Sequence, residues 1–181
     1  MCNVYFKDFK YLLIILMTVI MTTKATKASN SNFITLNTSK GDVIIKFLPK
    51  LAPNHVKRIK DLVKSGFYDG IIFHRVIKGF MAQTGDPLGN GTGGSGKNLR
   101  AEFTDYEYKY GTVGMARSMN PDSGDSQFFI CFEGCSHLTG QYTVWGQVEK
   151  GMDIVEKIEI GEPPSKPDKI IKAYLGKNKP K

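Results

Sequence analysis

Short β-prone runs broken by turns dominate this chain, and their spacing leaves few architectures open. Phe33-Ile34-Thr35-Leu36 and Asp42 to Phe47 read as two strands around the turn Thr38-Ser39-Lys40-Gly41. Further runs follow at Ile71 to Val76, Phe80 to Thr84, Gly111 to Ala116, Gln127 to Phe132, Tyr142 to Val148 and Lys169 to Leu175. Only two segments read as helices. In the first, Pro53 suits the opening turn, Val56, Ile59, Leu62 and Val63 form an apolar stripe, and Gly66 stops it. The second is short, Gly151 to Lys157, with Met152, Val155 and Ile158 on one face. Nineteen glycines, eleven Phe and eight Tyr fit a turn-rich β architecture. The pattern predicts one mainly β domain, a closed antiparallel barrel with helical covers.

Residues 1–28 read as a separate, removable segment. Lys7 and Lys10 form a positive start, Tyr11 to Met21 is an uncharged and mostly apolar run, and Thr26-Lys27-Ala28 offers small residues for signal peptidase. A spanning helix needs about 20 apolar residues, so the run is short for an anchor, and no stable membrane insertion is expected. The expected division is a signal peptide over 1–28, a domain over 29–175 and a basic disordered tail over 176–181. The signal implies export, to the periplasm in a Gram-negative host and otherwise to the endoplasmic reticulum lumen or outside the cell. It also carries four lysines against one aspartate, so removing it lowers the net charge from +8 to +5. The remaining charges are interspersed without an arginine cluster, which argues against a nucleic-acid partner.

The glycine loop Gly89-Asn90-Gly91-Thr92-Gly93-Gly94-Ser95-Gly96-Lys97 satisfies two loose phosphate-binding patterns. Such loops join a buried strand to a helix N-terminus. Here Asp86-Pro87-Leu88 is no strand, Leu99 to Tyr110 has no helical period, and Asn98 replaces the magnesium-binding hydroxyl. A surface loop is the expectation. Cys131 and Cys135 could pair after export. Against this, Cys131 lies in Gln127-Phe128-Phe129-Ile130-Cys131-Phe132, where a small buried thiol packs well, and a strand residue seldom bridges to one four along. Two unpaired cysteines are the favoured reading. A zinc site from Cys131, Cys135 and His137 lacks a fourth ligand, and no metal or cofactor is expected.

The most specific segments are Phe73-His74-Arg75-Val76-Ile77-Lys78-Gly79-Phe80-Met81-Ala82-Gln83-Thr84-Gly85-Asp86 and Asp125-Ser126-Gln127-Phe128-Phe129-Ile130, with Gly114-Met115-Ala116-Arg117 before the second. Strand alternation places Phe73 with Arg75 on one face and His74 with Val76 on the other, while Met81 and Gln83 share a face beyond Gly79. An arginine beside Phe, Met and Gln is a polar tip in an apolar dish, suited to an apolar ring bearing an amide. The plainer alternative is a structural arginine paired with a carboxylate at a barrel rim. His74, opposite Arg75, is expected to be structural.

These segments resemble the signature of the cyclophilins, the cyclosporin-binding peptidyl-prolyl cis–trans isomerases, and the resemblance runs from about Phe33 to Leu175. It implies an all-β fold, a closed eight-stranded antiparallel β-barrel capped by two α-helices. The implied activity is rotation about X–Pro bonds in unfolded or exported proteins, by a monomer, without covalent intermediate, metal or cofactor. By the same resemblance Arg75 is the catalytic donor to the prolyl nitrogen, with Gln83 as its polar neighbour. Phe80, Met81, Phe129 and Leu138 receive the proline ring, Ala116 and Arg117 run beside the peptide backbone, and Gln127 lines the adjacent groove. His137 stands where the family usually has the tryptophan that hydrogen-bonds cyclosporin, so only weak cyclosporin binding is expected. Tyr142 replaces a pocket histidine, as in bacterial-type members, and keeps an aromatic wall. Trp145 stands where the family often has Phe and is expected in the core. The alternative function is a non-catalytic chaperone that binds proline peptides on the same fold.

Overall fold

The computed structural model describes residues 31–178; the signal segment expected over 1–28 lies outside them. Eight strands form one antiparallel sheet: β1 (Phe33–Thr38), β2 (Gly41–Phe47), β3 (Arg75–Ile77), β4 (Met81–Thr84), β5 (Thr112–Met115), β6 (Phe128–Cys131), β7 (Val144–Lys150) and β8 (Ile170–Leu175). Their order is β3-β4-β6-β5-β7-β2-β1-β8. The expected closed barrel is corrected to a curled half-barrel. Its ladder has two ends, and β3 and β8 do not pair as strands. Instead, single bridges such as Ile72 to Lys169 span the seam. The physical reason is the shortness of β3. Residues 71–74 leave the extended ladder and donate singly, as Phe73 N–H does to Asp168 O at 2.8 Å.

That break also overturns one facing assignment. Phe73 is fully buried in the main core with Val76 rather than on the face of Arg75, because strand alternation does not extend back through His74. The core lies on one side of the sheet, where Val76, Ala82, Ile130 and Val113 stand in register across four strands. Trp145 is fully buried there, edge-on to Phe128 with ring centroids 5.3 Å apart.

Helix α1 (Pro53–Lys64) covers this core with Val56, Ile59, Leu62 and Val63, each side chain contributing about 1.5–3 kcal/mol by leaving water. Proline opens the helix and Gly66, at φ 74°, ends it with its N–H on Val63 O. Helix α2 is shorter than its sequence suggests, Met152–Val155, although Val155 and Ile158 are buried as expected.

The start of α1 has a cap that sequence proximity does not reveal. Ala52 cannot cap, and Glu102 instead accepts from the backbone N–H of Asn54 at 3.1 Å and of His55 at 3.0 Å. Glu102 also meets Nδ1 of the buried His55 at 2.6 Å. Burial holds the His55 pKa below its usual value despite the neighbouring carboxylate, so a neutral ring donates its Nδ1–H. Burial alone would raise the Glu102 carboxyl, but the bonds from His55 and Asn54 outweigh it and hold its pKa below the usual range.

The two cysteines are joined, which corrects the expectation of free thiols. After β6 the chain turns back through Phe132-Glu133-Gly134, and Gly134 N–H bonds to Gly79 O. This turn, invisible to strand spacing, sets the Cys131 and Cys135 Cα atoms 6.0 Å apart with a disulfide between them. The bonded sulfurs are not available as zinc ligands.

Glu102→Ala should cost about 1–2 kcal/mol in urea unfolding at neutral pH. Because the folded pKa of Glu102 is lowered, its contribution is complete above the unfolded value of about 4.3 and is lost as pH falls through the folded value. Wild type and variant should therefore converge in acid. In the native chain, Cys131 and Cys135 should resist iodoacetamide until a reductant is added, as peptide mapping would show.

Candidate functional site

Arg75, Gln83 and Phe129 stand in one row across three strands, Arg75 opposite Gln83 and Gln83 opposite Phe129. Paired residues project from the same side of a sheet, and this row lies on the side away from the main core. Met81, two residues before Gln83, shares that side. Between them they begin a second apolar cluster, with Met81, Tyr108, Phe129, Cys131, Cys135, Leu138 and Val144 at its centre.

A pocket of about 120 Å³ opens over this cluster. Met81, Phe129 and Leu138 are its buried floor, and Phe80 and Tyr142 are its half-buried walls. Tyr142 meets Phe129 edge-on at 5.7 Å. Arg75 and Gln83 supply the polar edge, and Ala116 and Arg117 the rim. The Arg117 guanidinium lies 4.4 Å from the Tyr142 ring centre, with Nε and Nη2 donating to Gln141 O. His137 is exposed and stacks on Phe80 with centroids 5.5 Å apart, so it buttresses the wall from outside rather than lining the cavity. Leu138 arrives through the disulfide turn: it ends the short 3-10 segment Ser136–Leu138, and its N–H bonds to Cys135 O.

Gly114 makes the floor fit. It sits opposite Phe129 on β5, and a Cβ there would come within 2.6 Å of the Phe129 ring and closer still to the Tyr108 hydroxyl. Tyr108, buried and stacked behind Phe129 at 5.8 Å, has its hydroxyl pKa pushed up by burial.

Arg75 has one hydrogen-bond partner among the described residues, Glu162, which accepts from Nε at 2.6 Å. The rim carboxylate named as the plainer alternative therefore exists, and it coexists with the pocket. Gln83 does not bond Arg75; its Nε2 donates to Gln127 Oε1 at 3.0 Å, and Gln127 Nε2 donates onward to Gly91 O and Gly93 O. His74 is buried, with Asp86, Arg75 and Gln127 acting on its ring. Burial lowers its pKa, outweighing the neighbouring Asp86 carboxylate and Gln127, which leaves a neutral, structural ring.

Gln83, Ala116 and Arg117 also border a second groove of about 390 Å³, walled by Gln127 and the glycine loop. Asp86 accepts from the N–H groups of Leu88, Asn90 and Gly91, and Asp125 from those of Gly96 and Lys97 and from the Ser95 hydroxyl. The amides that a phosphate would need are taken by the chain's own carboxylates, whose charge repels an anion. The loop is a surface wall. Asp86 and Asp125 are organising residues that the motif contains without revealing their task. Gly93 is required because a Cβ would collide with the Asp86 carboxylate.

An apolar cavity that fits one small ring, with a guanidinium at its edge and a groove beside it, is suited to a ring-bearing peptide. Residues 33–175 match the family described as cyclophilin type peptidyl-prolyl cis-trans isomerase/CLD, and the chain belongs to that family. It is 49% identical to a probable peptidyl-prolyl cis-trans isomerase of Brucella abortus over 168 aligned residues, covering 83% of this chain and 86% of that one. It is 38% identical to a peptidyl-prolyl cis-trans isomerase of Helicobacter pylori, covering 77% and 87%. Among solved structures, a Cryptosporidium parvum cyclophilin crystallised in the presence of the dipeptide Ala-Pro superposes with a TM-score of 0.75 at 29% identity, covering 81% of this chain and 99% of that one. A Hirschia baltica cyclophilin superposes with a TM-score of 0.73 at 30% identity, covering 80% and 74%.

Gly114→Ala should push Phe129 off the pocket floor. Unfolding free energy should drop by about 1–3 kcal/mol, typical of overpacking, and proline-peptide binding measured by titration calorimetry should weaken with it.

Proposed function

We propose that this chain accelerates cis–trans rotation about X–Pro bonds by favouring the twisted amide in the pocket beside Arg75. The observation that carries the reading is the guanidinium at the edge of an apolar cavity that fits one small ring. Rotation about the peptide bond faces a barrier of about 18–20 kcal/mol because resonance gives the C–N bond double-bond character. Twisting breaks that resonance and returns a lone pair to the prolyl nitrogen. A donor aimed at this lone pair binds the twisted state and not the planar one, which is what lowers the barrier. Arginine suits the task because it stays protonated and presents several N–H groups in a rigid fork.

In this reading Phe80, Met81, Phe129, Leu138 and Tyr142 clamp the proline ring, so rotation is driven into the chain that precedes it. Gln83 orients the substrate carbonyl, its amide held from behind by Gln127. Ala116 and Arg117 border both the pocket and the groove, so a peptide passing from one to the other runs over them. Clients are flexible or unfolded proline-containing segments, because one ring and a short stretch of backbone are all the site reads. Cyclosporin binding is weak in this reading, since His137 stacks on Phe80 instead of presenting an indole N–H. Export is supported by the leader pattern of residues 1–28 and by the Cys131–Cys135 disulfide, which an oxidising compartment would preserve.

Arg75→Ala should reduce the catalysed exchange rate of a proline peptide by about a hundredfold or more, the cost of deleting one donor aimed at a transition state. Two-dimensional NMR exchange spectroscopy reads this directly. Equal, negligible rates for wild type and variant would remove the isomerase reading, and retained peptide binding would then favour the non-catalytic chaperone.

A further inference from the structure

The loop from Gly161 to Asp168 is strapped to the segment that carries Arg75. At one end, Val76 N–H bonds to Gly161 O at 2.8 Å and Gly161 N–H returns to Val76 O at 3.0 Å. At the other, Phe73 N–H bonds to Asp168 O, while the Asp168 carboxylate takes the Ser39 hydroxyl and Glu159 N–H. Pro163, Pro164 and Pro167 stiffen what lies between. The two anchor points, Phe73 just before β3 and Val76 within it, fall on either side of Arg75. The strap thereby carries Glu162 to the arginine, where its carboxylate accepts the Nε–H at 2.6 Å.

We propose that Glu162 is a positioning residue for Arg75. The Nε–H lies on one edge of the planar guanidinium. Holding it stops rotation of the fork and leaves the terminal amino groups for the prolyl nitrogen. Among the described residues those terminal groups have no hydrogen-bond partner. A carboxylate beside the arginine also offsets part of its charge, which would oppose catalysis. However, both side chains are well exposed, 39% for Arg75 and 52% for Glu162, so water screens that effect. The geometric gain does not depend on screening, and it prevails. Gln83, one strand over, is turned toward Gln127, so Glu162 is what orients the donor.

This inference rests on the isomerase reading above, and one set of measurements separates the two. Full-length wild type, Glu162→Ala, Glu162→Gln and Arg75→Lys are compared with the double variant Arg75→Lys/Glu162→Ala in NMR exchange on an Ala-Pro peptide, with thermal melting beside each. Glu162→Ala should lower kcat about two- to fivefold with KM unchanged, since orientation matters when the amide twists. Glu162→Gln should recover most of that loss, because the amide oxygen still accepts from Nε. Lysine has no Nε–H to hold, so adding Glu162→Ala to Arg75→Lys should change nothing. Should Glu162→Ala melt below the assay temperature, Glu162→Met, which keeps the bulk but is uncharged and at best a weak acceptor, takes its place. An unchanged or faster Glu162→Ala overturns the proposal, as does a rise in KM alone or an equal loss in the Arg75→Lys background. An inactive wild type instead overturns the isomerase reading.

Discussion

Strand β6 is covered on both faces, and the rest of the molecule is arranged around that constraint. Its four residues alternate between two environments: Phe128 and Ile130 enter the main core, and Phe129 and Cys131 enter the cluster beneath the pocket. A shift of one residue would exchange the two sets and put a floor residue into the core. The ladders to β4 and β5 hold the register, with Gln83 and Gly114 on either side of Phe129. One strand therefore belongs both to the stability of the fold and to the shape of the site.

The polar parts of the site are organised differently from the apolar ones. The pocket floor is set by strand register, which leaves little freedom. Each polar side chain around it is held by something further out: Gln83 by Gln127, Gln127 by the glycine-loop carbonyls, that loop by Asp86 and Asp125, and Arg75 by Glu162. The loop's carboxylates, Asp86 buried and Asp125 half-buried, thus do a second task. They occupy backbone donors that would otherwise invite anions, and they leave the groove neutral enough for a peptide backbone.

The elements of this fold were legible in sequence where a residue's environment depends on near neighbours. Alternation located the strands, and the stripe Val56, Ile59, Leu62, Val63 located α1. The segments around Arg75 and around Phe129 were each legible because the residues within each are close along the chain. What could not be read depends on distant partners or on turns. Phe73 turns to the core against the alternation because nothing local marks where β3 begins. The disulfide depends on the turn at Phe132-Glu133-Gly134, of which strand spacing says nothing. The sheet stays open because its short end strands meet through single bridges. Glu162 carries no signal beyond sitting in a proline-rich loop, and Glu102 carries none at all.

The distant cap on α1 has a consequence for how the chain acquires its structure. A twelve-residue helix is marginal alone in water, and this one lacks a local residue to satisfy its first amide groups. Its cap stands 48 residues further along and is itself held by the Thr143 hydroxyl from beyond β6. The helix therefore gains full strength only after strands that follow it in sequence have docked. Its completion is tied to the long-range assembly of the sheet rather than preceding it.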